Sequence, residues 1–306
     1  MDVLLVRLSR AGVGCYIGKT CAAALCYADD VTLMAPSRRS MSLLLSICEN
    51  YAKEYHVKFN STKSVLITYN VRYDVSFQLN GVPIAHNISA LHLGHHIGHE
   101  YNKRNVTRGI NSLITQTNTM ISRFGSCPSK VKMSLFKSYC TSYYGCSLWN
   151  LTNNEVHRFY TTWRKCMRRL WCLPYRTHSR FLPVLYDGMS IDLQLMNRYA
   201  NFMLNITMSN NYIVTLCKKL CQHSKTPAAE NRRMLLQMLN VNSDNIETPD
   251  DWVKYKNRIK CLSHASDDVN SNVNLIIELC MIRNGLLTTE LSMVQINNIL
   301  SNICCN

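Results

Sequence analysis

The stretch Tyr27-Ala28-Asp29-Asp30 sets two aspartates side by side between two apolar runs, residues 24–28 and 31–34. Two like charges about 4 Å apart repel by roughly 1 kcal/mol in water, and by several times that where solvent is scarce. A divalent cation offsets that repulsion by bringing the largest local charge of the site. In phosphoryl transfer, paired metal ions clamp the attacking and the leaving oxygen, and adjacent carboxylates are natural ligands for them. A plain Asp-Asp surface turn accounts for these four residues equally well.

Two further clusters carry metal-binding residue types. His92, His95, His96 and His99 stand at helical spacing, but Gly94 and Gly98 argue against a helix there. In a continuous strand, His92 and His96 face one way while His95 and His99 face the other, so the four cannot converge on one ion. Cys217, Cys221 and His223 have no matching second half. The 15 cysteines are scattered and never spaced Cys-x-x-Cys, which reads as reduced thiols used as small apolar side chains.

The paired aspartates must be positioned by the elements around them. The runs 24–28 and 31–34 have the pattern of strands, which places Asp29-Asp30 at or beside a hairpin turn. Leu43, Leu44, Ile47 and Tyr51 fall at helical spacing in a segment opened by Ser40 or Ser42. Asn80-Gly81 is a hairpin signal between short β-rich runs. From residue 103 the period changes to that of a helix. Val106, Ile110, Leu113, Ile114, Ile121 and Phe124 mark one face of a helix stopped by Gly125, and Val131, Leu135 and Tyr139 the inward side of the next.

A third helix spans about residues 154–171. At ~100° per residue, Val156, Phe159, Tyr160, Trp163, Cys166, Met167 and Leu170 share one side. Arg158, Arg164, Lys165, Arg168 and Arg169 fall on the other. More helices are expected at about 190–208, 228–240, 249–264, 272–284 and 288–303, with Thr248-Pro249 as one N-terminal signal. The fold class is α+β, a small mixed part followed by a helical part.

Charge is concentrated in one segment. Residues 1–100 carry nine Lys/Arg and seven Asp/Glu, residues 181–306 eleven of each, and residues 101–180 fourteen against the single acid Glu155. The net +13 of that middle segment accounts for nearly all of the chain's +15. Such a block reads as a contact surface for a polyanion, nucleic acid above all, because neutralised phosphates release counterions. The alternative is a solvated basic face. No apolar run approaches the ~18 residues of a membrane span, and no secretory signal is apparent. The sequons at Asn60, Asn87, Asn105, Asn150 and Asn205 are read as chance. A nuclear or cytoplasmic location, not secretion, is expected.

Several motifs, in order, resemble the reverse transcriptases of non-LTR (LINE-type) retrotransposons. LCYADDVTLMAPS resembles the family's catalytic hairpin and the strand and turn after it. FNSTKS, residues 59–64, is similar to the motif in which Asn60 and Lys63 occupy family positions. ALHLGHHIG, residues 90–98, resembles the Leu-Gly hairpin that grips the primer. KMSLFKSYCTSYYGCSLW and FYTTWRKCMRRLWCLPYRT resemble thumb helices.

The resemblance implies a partial polymerase palm over residues 1–101, an all-α basic thumb over 102–180 and a C-terminal helical region over 181–306. It implies that Asp29 binds the catalytic Mg2+, or Mn2+ in its place, that Asp30 supports it, and that Lys63 assists the leaving pyrophosphate. Tyr27, His92, Leu93, Gly94 and His95 would contact the primer strand. Arg158, Arg164, Lys165, Arg168 and Arg169 would hold the phosphates of an RNA template and DNA primer, with deoxynucleotides as substrate once the active site is complete. The family uses a third carboxylate from an earlier palm strand, and only Asp2 precedes Asp29 here. Met1 is therefore expected to be an internal methionine of a longer polyprotein and the chain to be inactive alone. A non-enzymatic nucleic-acid-binding remnant, or a fossil without a selected role, are the alternatives.

Overall fold

Short hairpins closed by two-residue turns make most of the β structure, and amphipathic helices make the rest. A computed structural model describes residues 1–71, 74–179, 182–183, 186, 189–242, 247–263, 294–295 and 298–299. The chain divides into two units, Met1–Tyr101 with Asn211–Cys217, and Asn102–Asn210 with Lys218–Asn306.

The first unit begins with α1 (Asp2–Arg10), then β1 (Tyr16–Ile17), β2 (Thr20–Cys21), β3 (Ala24–Tyr27), β4 (Asp30–Leu33) and α2 (Arg38–Glu54). Leu4 and Leu8 of α1, Ala23, and Leu44, Cys48 and Tyr51 of α2 form its main core. Burial pushes the Cys48 thiol up to about 12, so it stays neutral there. Ser37 caps α2 by accepting from Ser40 N–H at 3.2 Å, so the helix opens earlier than Ser40. Leu43, expected on the inner face, is exposed, while Cys48 and Ala52 are buried. Arg7 makes a two-point ion pair with Glu54 at 2.6 and 2.9 Å, joining α1 to α2 on the surface.

β5 (Val65–Leu66), β6 (Gln78–Leu79), β7 (Val82–Pro83), β8 (Ala85–His86), β9 (Ser89–His92) and β10 (His95–Gly98) complete this unit. β6–β7 and β9–β10 are antiparallel hairpins, and β5 pairs with β8 in parallel. Asn80 and Gly81 have φ of +54° and +74°, the pattern of a type I′ turn whose twist suits a hairpin. Leu66, Val75 and Phe77 form a second small core here.

The second unit holds α3 (Tyr101–Phe124), α4 (Ser129–Leu135), a π-helical turn (Phe136–Cys140), a 3-10 turn (Cys146–Leu148), α5 (Asn154–Leu170), α6 (Ile191–Thr207), α8 (Pro227–Met238) and α9 (Pro249–Ser263). Between α6 and α8 runs α7 (Tyr212–His223), a helix absent from the expected set. The helices expected at 272–284 and 288–303 lie outside the described residues except at 294–295 and 298–299. Among the described residues no helix is long and apolar enough to cross a membrane.

One core serves this unit. All seven apolar residues of α5 are buried, each burial stabilising by roughly 1.5–3 kcal/mol relative to exposure. Trp149 and Tyr143 meet Phe159 edge-on, at ring distances of 5.0 and 5.1 Å. α6 packs along α9, where Tyr199 meets the fully buried Trp252 edge-on. Asn231 brackets the backbone leading into α5, accepting from Leu151 N–H and donating to Trp149 O, both at 2.8 Å. Thr248 and Asp251 form a reciprocal cap on α9, with Asp251 Oδ2 accepting from the Thr248 hydroxyl at 2.7 Å. Arg232 pairs with Glu247, whose side chain is fully buried, and Lys218 donates to Glu247 O at 2.9 Å.

Two helices turn a different side inward than their spacing indicates. On α3, Val106, Ile110 and Leu113 are buried as expected, but Thr117 and Met120 continue the inner face, while Ile114 and Phe124 are exposed and Ile121 is half-buried. The inner stripe follows the i, i+3, i+4 rows without a break, and the buried Thr117 lies near the Cys140 and Cys166 thiols. On α4 and the π-helical turn that follows it, Val131 and Tyr139 are exposed and Leu135 half-buried, whereas Lys132, Phe136 and Cys140 face inward. The Lys132 stem enters the core with its ammonium 5.5 Å from the Trp171 ring centre, which makes a lysine serve as an inner residue.

Gly109 on α3 sits against Trp149. A Cβ there would stand 2.7 Å from the indole ring. Gly109→Ala gains up to about 1 kcal/mol of helix propensity but overpacks the core at about 1–3 kcal/mol. Urea unfolding is expected to show net destabilisation, and a variant as stable as the parent would mean that Trp149 is seated elsewhere.

Candidate nucleic-acid interface

α5 begins where Asn153 accepts from Glu155 N–H at 2.9 Å and ends where Cys172 turns left-handed at φ +51°. With one side of the helix committed to the core, its cations are left on the other. They are not equivalent. Arg158 pairs with Glu155 at 2.9 Å, an exposed contact one helical turn apart. Lys165 and Arg169 are exposed and Arg164 half-buried, and these three make no side-chain hydrogen bond or ion pair among the described residues.

Arg168 departs from the expected phosphate-contact role. Its Nε and Nη2 both donate to Thr177 O, at 3.1 and 2.7 Å, and Nη2 reaches Ser179 Oγ at 3.3 Å. Burial, and after it the nearby Arg164 charge, lower its pKa. The guanidinium fork therefore fastens residues 171–179 to the helix instead of facing solvent. Lys132, Lys137 and Arg198 are similarly spent on aromatic rings, Trp171, Tyr186 and Tyr143, at 5.0–5.5 Å. Arg198 also donates to the Ser142 and Thr141 carbonyls at 3.0 and 2.5 Å. A charge sum over residues 101–180 counts Lys132, Lys137 and Arg168 as free, because nothing in their spacing says which will reach inward.

In the first unit, the hairpin β3–β4 is antiparallel, with Tyr27 opposite Asp30 and Cys26 opposite Val31. Its two turn residues are Ala28 and Asp29, so Asp30 already belongs to β4. Ala28 alone has positive φ, +53°, the pattern of a type II′ turn, in a region that costs a non-glycine residue about 1–2 kcal/mol. Ala24, Val31 and Leu33 face the core, while Leu25 and Tyr27 are exposed, Tyr27 at 65%. Gly14 underlies the hairpin: a Cβ there would lie 2.3 Å from that of Ala23.

Asp29 and Asp30 are both exposed and make no ion pair or hydrogen bond through their side chains among the described residues. Nor do the described residues hold a group of three or more His, Cys, Asp or Glu that could bind a metal ion. Two adjacent solvated carboxylates alone do not fit a two-metal clamp, which needs further oxygen ligands converging from another segment. Lys63 is exposed and pairs with neither aspartate. Asn60 closes the turn before it, its Oδ1 accepting from Lys63 N–H at 3.1 Å and from Thr62 Oγ1 at 2.8 Å, a local structural use of that motif.

The histidines belong to a hairpin, not to one continuous strand. Leu93 and Gly94, at φ +47° and +73°, turn the chain, so His92 lies opposite His95 on one face and His96 opposite Leu91 on the other. His92 and His95 therefore share a face that the continuous-strand pattern denies them. His99 leaves the hairpin, donating from Nε2 to Thr68 O at 3.0 Å. Leu93 is a bulky residue held left-handed at an exposed hairpin tip.

Comparison with family models, with curated proteins and with solved structures finds no match.

The division of labour among the cations is testable. Arg168→Met should raise amide exchange and protease cleavage across residues 171–179, while Lys165→Glu leaves both as in the parent. Equal protection in the two variants would remove Arg168 from its structural role.

Proposed function

We propose that this chain is part of an RNA-directed DNA polymerase of the retrotransposon reverse-transcriptase kind, and that its own contribution is to grip nucleic acid through the basic side of α5. The observation that carries the grip is the placement of Arg164, Lys165 and Arg169 on a helix whose other side is wholly buried. The one acid of residues 101–180, Glu155, is already paired with Arg158. A template–primer duplex of RNA and DNA is the partner, held by its phosphates. A nuclear or cytoplasmic location goes with such a partner.

The polymerase part of the proposal rests on the resemblance of the Tyr27–Asp30 hairpin and the Leu93-Gly94 hairpin to their family counterparts. Mg2+ and deoxynucleotides belong to that part. Asp29 and Asp30 supply two carboxylates, and catalysis needs more ligands than these. The second reading is a nucleic-acid binder without catalysis, favoured by the solvated, unclustered state of the two aspartates.

Binding to an RNA·DNA hybrid, measured by fluorescence anisotropy across a salt series, tests the grip. Each lost phosphate contact removes about 0.7–0.9 from the log–log salt slope. Reversing Arg164, Lys165 and Arg169 together to Glu should lower it by about 2–3. An unchanged slope would sink the basic-face assignment. Asp29→Asn separates the two readings: under the first, it leaves hybrid binding unchanged and abolishes primer extension by a preparation that extends. If no preparation containing this chain extends a primer, the second reading stands.

A further inference from the structure

Beyond the helix face, the structure builds a second feature beside it. After Cys172 the chain folds back: Leu173 N–H donates to Arg168 O at 2.8 Å, and Leu173 is buried. Thr177 N–H then donates to Pro174 O at 3.1 Å, closing a turn with Tyr175 and Arg176 at its two central positions. The Thr177 hydroxyl donates to the same carbonyl at 2.7 Å, and Thr177 O takes the two bonds from Arg168. Leu173 and Thr177 are buried on either side, yet Tyr175 is 83% exposed. An apolar ring is thus held out in water on a turn fixed at both ends. The bonds from Leu173 N–H to Arg168 O and from the Arg168 guanidinium to Thr177 O hold the turn that carries Tyr175 against the C-terminal end of α5, the helix that also carries Lys165 and Arg169.

The chemistry of the surroundings selects the occupant. Between Glu155 and Asp187 the sequence contains no acidic residue and seven Lys/Arg. Such a field favours a polyanion. A duplex offers phosphates but keeps its bases stacked inside, with no face for an aromatic ring. A run of aspartate and glutamate offers charge but no flat ring to lie on the phenol. An unpaired nucleotide offers both, and base stacking on aromatic side chains beside a basic track is how sequence-tolerant single-strand sites are built.

We infer that Tyr175 is a stacking platform for an unpaired base, in a single-stranded segment that continues from the duplex whose phosphates run along Arg164, Lys165 and Arg169. This rests on the reading of α5 as a nucleic-acid face and adds to it the form of the ligand. The full chain is titrated with labelled oligo-dT, with an abasic oligonucleotide of the same length and with a duplex. Tyr175→Ala is expected to weaken oligo-dT binding roughly 5- to 140-fold, the range for one lost base stack, with the salt slope unchanged. Tyr175→Phe should bind like the parent, and abasic and duplex affinities should not respond to either change. Tyr175→Ala binding oligo-dT at parental strength, or losing abasic and oligo-dT affinity alike, overturns the inference. So does polyglutamate competing as well as oligo-dT. The double variant Lys165→Glu/Arg169→Glu keeps the two levels apart. If it weakens all three ligands while Tyr175→Ala weakens none, the nucleic-acid face stands and the stacking fails. If it weakens none, the face itself fails.

Discussion

A helix that buries one whole side and carries almost no acid must put its cations on the other, and α5 is under that constraint. Its inner residues run from Val156 to Leu170 through Phe159 and Trp163, and the second unit is arranged to receive them. Gly109 withdraws so that Trp149 can meet Phe159, and Asn231 holds the strand-like backbone around Trp149. With those contacts fixed, the outer arc of the helix is fixed too. The basic surface is therefore a product of core packing as much as of charge.

The same constraint explains what the amino-acid pattern reveals and what it hides. The α5 face is legible because its apolar period is unbroken and its apolar residues are large. The Asn80-Gly81 turn is legible because that dipeptide suits left-handed backbone better than almost any other. α4 is not legible in the same way: a π-helical turn changes the angular spacing after Leu135, and Lys132 takes an inner position that residue type assigns to water. The outer half of α3 misleads because Thr117, a polar residue, has thiols for neighbours inside, which leaves Ile114 to solvent.

At the candidate site the residues are legible and their assembly is not. The flanking apolar runs put Asp29 and Asp30 at or beside a turn, and they stand there, but the turn falls one residue earlier than a symmetrical reading gives, so that Asp30 opens β4. The strand period taken through Leu93-Gly94 misassigns the histidine faces, because that dipeptide lacks the asparagine or aspartate that usually announces a tight hairpin. Only the resemblance of ALHLGHHIG to a Leu-Gly hairpin points to a turn there. Helical angle alone puts Arg168 with its basic neighbours. Its length lets it bend to Thr177 O, and only the fold of residues 171–179 reveals that acceptor.

The buried pair of Arg232 and Glu247 has a thermal consequence. Stripping water from both charges is the main penalty of such a pair, and that penalty shrinks as the solution warms, because ion hydration carries a strongly negative entropy. Apolar contacts per unit area level off over the same range. The tie between α8 and the residue just ahead of α9 thus gains in relative weight on heating, while the apolar contacts around it do not.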